Sequence, residues 1–115
     1  MPYDLFRHHI DAALATRPDA RILLCSDAAN VIDRMREIYR DRIVTYDAFR
    51  LPTGEMHSRI MRGEAMDTTP YRLGLDVVIV AYLLGRTDLL IQDYSNVSRF
   101  VRRLSLRQPK ICVYD

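Results

Sequence analysis

Small polar and acidic side chains cluster at three places in this sequence: Ser26–Asp27, Tyr46–Asp47, and the run Asp93, Tyr94, Ser95, Asn96. Residues of these types can hold a sugar or a phosphate. Ser95, Asn96 and Ser98 carry hydroxyl and amide donors, and Val97 adds a main-chain N–H, so together they can meet the oxygens of a diphosphate. Asp27 and Asp93 can accept from ribose or sugar hydroxyls, and Arg99 can add positive charge. Ser, Asn and Asp are equally the preferred helix N-caps. Capping and phosphate binding can coexist at one helix end, so both roles stay open for Asp27, Ser95 and Asn96.

Other chemistry is harder to assemble. His8, His9 and His57 have no metal-ligand partners at useful spacing and read as solvated, so no metal site and no cofactor are expected. Neither a Ser/His/Asp nor a Cys/His constellation can be drawn. With glycine at 54, 63, 74 and 85 alone, there is no glycine-rich phosphate loop. Catalytic residues are therefore unassigned. Cys25 and Cys112 fall in apolar segments and read as reduced core residues.

The elements that must position the polar runs follow from periodicity. Leu5, Phe6, Ile10, Ala13 and Leu14 have helical spacing over 3–16, closed by Pro18. "RILLCS" is a short, continuously apolar strand. Val31, Ile32, Met35 and Ile38 mark a helix over 28–38, and "DRIVTYD" a second strand. Residues 47–73 read as a long loop, with a short helix near His57–Met61. "GLDVVIVAYLLG" is apolar on all sides. Its β-branched run favours a strand, but Asp76 near the start and Gly85 at the end favour a helix, and agreement with its neighbours decides for helix. Asp88–Gln92 is a third strand, 95–105 a helix, and "KICVYD" a final strand.

Alternation of strand and helix predicts an α/β fold: one Rossmann-like, three-layer domain over 1–115 with a parallel sheet of about four strands. In such a sheet ligands sit beyond the strands' carboxyl ends, which is where the three polar runs fall. The last strand has no helix after it to cover its face. A fragment of a larger protein, or a subunit that forms a homo-oligomer, is therefore expected. A chain of 115 residues carrying a net charge of +2 gives no case for nucleic acid. No apolar run is long enough to span a membrane and the N-terminus lacks a signal-peptide core, so a cytoplasmic location is expected.

The stretch "GLDVVIVAYLLGRTDLLIQDYSNVSRF" resembles the C-terminal signature of the fucosyltransferase-like glycosyltransferases, the group of the nodulation and core α1,6-fucosyltransferases. Gly74, Leu83, Leu84, Asp88, Leu90, Ile91, Ser95 and Asn96 match its pattern. "RILLCSDAANVIDRMREIYRDRIVTYD" is similar to that group's strand ending in A-T-D-D with the helix and strand that follow. The resemblance implies one half of a GT-B fold, the half that holds a GDP-sugar donor, in a metal-independent inverting enzyme that acts on a glycan acceptor. It implies diphosphate contact at Ser95, Asn96, Val97 and Ser98. Nucleotide or sugar contact is implied at Asp27, Asp76, Asp93 and Tyr94. Departures accompany it. Val80 stands where the group has a base-contacting acid, with Asp76 one helical turn earlier, and Ala28 replaces the second Asp of A-T-D-D. The Arg-rich H-x-R-R motif is absent from this chain, so an additional N-terminal domain is expected to supply it. A non-catalytic nucleotide- or anion-binding module, or an interaction domain derived from that fold, is the alternative.

Overall fold

A computed structural model of the chain describes residues 2–54, 56–92, 101, 103 and 106–113. The backbone divides into two compact units, one made of residues 21–78 and the other of residues 1–20 with 79–115.

The unit of residues 21–78 begins with β1 (Ile22–Leu23), continues through α2 (Ala29–Tyr39) and a 3-10 turn at Arg40–Arg42, and reaches β2 (Ile43–Val44). Helix α2 buries Val31, Ile32, Met35 and Tyr39 along one face, as their spacing requires. It ends at Arg40, whose φ of 55° turns the chain out of the helix. β1 and β2 pair in parallel, Ile22 with Ile43 and Leu23 with Val44, and one more bond runs from the Leu24 N–H to the Val44 carbonyl at 2.9 Å. α3 (Met56–Met61) lies inside the long segment that follows. α4 (Pro70–Leu84) then starts four residues ahead of Gly74. Thr69 and Pro70 explain that early start: the Thr69 hydroxyl accepts from the Arg72 N–H at 3.2 Å, and proline suits the first helical position.

The other unit holds α1 (Tyr3–Thr16), the end of α4, β3 (Leu90–Gln92) and β4 (Lys110–Cys112). β3 and β4 pair in parallel, Leu90 with Lys110 through Gln92 with Cys112. Bonds from Leu90 N–H to the Pro109 carbonyl at 3.0 Å and from Val113 N–H to the Gln92 carbonyl at 2.7 Å extend the ladder at both ends. Ala81, Leu90 and Val101 form a small buried cluster with Leu84 against it. Val101 and Arg103 are helical.

The expected four-stranded Rossmann-like sheet, and with it the three-layer half of a GT-B fold, is not what forms. Among the described residues there are two separate two-stranded parallel sheets, β1–β2 and β3–β4. Burial gives the physical reason. A strand in the middle of a covered parallel sheet is buried on both faces. Here Ile22 and Leu23 are only half-buried and Val44 is 40% exposed. Apolar composition had suggested central strands, but β1 and β2 are short edge-like pairs whose pairing stops at each other.

Candidate functional site

The carboxyl end of β1 is closed by its own chain. After β2, residues 46–52 run back alongside 26–30. The Leu51 N–H donates to the Asp27 carbonyl at 2.8 Å, and Ala28 and Leu51 form a parallel bridge. The Ala29 N–H then donates to the Leu51 carbonyl at 2.8 Å and the Asn30 N–H to the Pro52 carbonyl at 3.0 Å. These are two of the N–H groups that a helix start would offer to an anion. In α2 protein carbonyls already occupy them. The residue at the cap is Ala28, which has no side chain able to cap, and its own N–H donates to Ser26 Oγ at 3.2 Å. Asp27 is therefore not the cap of α2, and its side chain stands exposed beside Gly54.

Gly54 is required at that point. Its φ is +88°, and a Cβ there would lie 3.2 Å from the Ala28 Cβ and 3.6 Å from Asp27 Oδ1. The close pass of backbone over residues 27–28 holds the returning segment against the start of α2.

Arg50 knots the same region together. Its Nε donates to the Ser26 carbonyl at 3.2 Å, its Nη1 to the Ala48 carbonyl at 3.4 Å, and its Nη2 to the Tyr46 carbonyl. One planar guanidinium thus satisfies three carbonyls at the ends of β1 and β2. Cys25 lies nearby, and burial pushes its thiol up to about 11, a rise that the Arg50 charge only partly offsets. A thiol so shifted is not a nucleophile at neutral pH.

Asp76 is buried, with 7% of its surface exposed. Its Oδ2 accepts from the Phe49 N–H at 2.9 Å and lies 3.7 Å from Arg72 Nε. Arg72 also donates from Nη2 to the Asp47 carbonyl at 3.3 Å. A buried carboxylate needs partners of this kind. The structure thus brings Asp27 and Asp76 to one segment, 47–51, for different work. The Asp27 backbone pairs with Leu51 and its carboxylate faces solvent, whereas the Asp76 carboxylate fixes Phe49.

In the second unit the described residues frame the third polar run without including it. Asp93, Tyr94, Ser95, Asn96, Val97 and Ser98 lie outside the described residues. β3 ends in Gln92, which is buried, with no hydrogen-bond partner for its Oε1 among the described residues. Gln108 pins the turn between α4 and β3. Its Nε2 lies within 2.8 Å of the Leu84 carbonyl, the Thr87 carbonyl and Thr87 Oγ1. Sequence reasoning missed Arg50, Gln92 and Gln108. The signal for Gln92 was available, as a polar residue ending the apolar run "LLIQ". Nothing in "AFRLP" marks Arg50 as inward-facing, because its role depends on carbonyls up to 24 residues away.

No group of three His, Cys, Asp or Glu is arranged as a metal site among the described residues. No helix of the described residues is long and apolar enough to cross a membrane.

No family model matches the chain, and no solved structure matches it. Comparison with curated proteins supports a distant, fucosyltransferase-like relationship. The matching protein is Nodulation protein Z of Sinorhizobium fredii strain NGR234, 28% identical over 104 residues. Those residues are 90% of this chain and 30% of the relative, so the chain spans about a third of the length of the curated relative it matches.

Proposed function

We propose that this chain is the GDP-sugar-binding part of a fucosyltransferase-like glycosyltransferase. The match to Nodulation protein Z over nine-tenths of the chain is the observation that carries this reading. In it the diphosphate meets Ser95, Asn96 and Ser98 and the N–H of Val97, in the polar run that follows β3 in sequence. The closure of the α2 start by Leu51 and Pro52 supports that choice, because it leaves the first strand–helix junction with fewer open donors for an anion. Asp27, exposed four residues beyond β1, and Asp93 and Tyr94, which follow Gln92 in sequence, are the candidates for sugar and nucleotide hydroxyls. Asp76 contributes by holding the 47–49 segment.

Sugar transfer to a glycan hydroxyl needs a base on the acceptor and positive charge on the leaving diphosphate. Both functions are assigned here to further residues outside this chain, in a larger protein or a second subunit. One observation favours the alternative, a nucleotide-binding module without catalysis. Asp76, the carboxylate nearest in sequence to the position of the base-contacting acid, is already engaged by Phe49 and Arg72, and Val80 occupies that position itself.

The test is thermal unfolding of the chain with GDP, and with UDP and ADP as controls. A ligand at about 100 times its dissociation constant stabilises by about 2.7 kcal/mol, a rise of roughly 10 °C for a chain of this size. A rise with GDP that the Ser95→Ala/Asn96→Ala double variant abolishes is the expected result. No rise with any nucleotide would leave Ser95 and Asn96 as helix caps and refute donor binding.

A further inference from the structure

We draw no further inference here: the strongest candidate, the buried Gln92 side chain that ends β3 with no hydrogen-bond partner for its Oε1 among the described residues, immediately precedes residues 93–98 in sequence and belongs to the site already described.

Discussion

Arg50→Met removes a guanidinium that serves three carbonyls, on Ser26, Ala48 and Tyr46, at the point where β1, β2 and the returning segment meet. A hydrogen bond from a charged donor contributes about 1.5–3 kcal/mol where it is buried. Arg50 is half-buried, and two of the three bonds are at 3.2 Å or longer, so a total near 3 kcal/mol is appropriate. Unfolding entropy for a chain of this length is about 0.24 kcal/mol per kelvin, which turns that loss into a Tm lower by roughly 12 °C. Arg50→Lys keeps the charge, but a point ammonium cannot reach three carbonyls, and about half the loss remains. Cys25 supplies a second readout. In the folded variant its thiol loses the Arg50 charge and is pushed up beyond about 11. If the segment opens instead, the thiol becomes accessible and reacts quickly with a disulfide reagent at pH 8. Differential scanning calorimetry and thiol labelling measure the two effects. A Tm within about 1 °C of wild type would refute the role given to Arg50, because the three carbonyls would then be satisfied without it.

Further outcomes follow from the same geometry. Gly54→Ala should destabilise the chain by about 1–2 kcal/mol in a denaturant titration, since an L-residue resists the positive φ and its Cβ would crowd Ala28. Asp76→Ala should cost about 2–3 kcal/mol, because the Phe49 N–H loses its acceptor, whereas Asp76→Asn keeps an acceptor and should cost well under half of that. Asp27→Asn should leave stability within about 0.5 kcal/mol, so a change in GDP affinity in that variant would report ligand contact. The pH dependence has a defined sign. The Cys25 thiol is raised in the folded state, so its contribution is fully present below the unfolded value near 9 and is lost as pH rises toward about 11. Cys25→Ala should flatten that slope when unfolding free energies are compared between pH 8 and 11.

What the sequence disclosed depends on which interactions are local. Helices α1 and α2 follow from apolar side chains three and four residues apart, and Val31, Ile32, Met35 and Tyr39 line the buried face of α2. The ambiguous run around residues 74–85 is helical, in keeping with its length and its ending at Gly85. Its true start lay in Thr69 and Pro70, inside what read as loop. Sheet membership was not legible. Apolar runs such as "RILLCS" disclose that a strand exists, but whether β2 continues to β3 depends on long-range pairing that no period encodes. The polar sites divide along the same line. Ser26 and Asp27 follow β1 by three and four residues, outside the strand itself. Their surroundings, set by Arg50, Leu51 and Gly54 from distant positions, could not be read from neighbouring residues.

Calorimetric titration of GDP into the chain and into Ser95→Ala/Asn96→Ala is the most direct test of a donor-binding role. Saturable binding of GDP by the wild type, weakened at least tenfold in the double variant and absent for UDP and ADP, is the predicted result. Equal affinities in the two proteins, or no heat of binding in either, would contradict it.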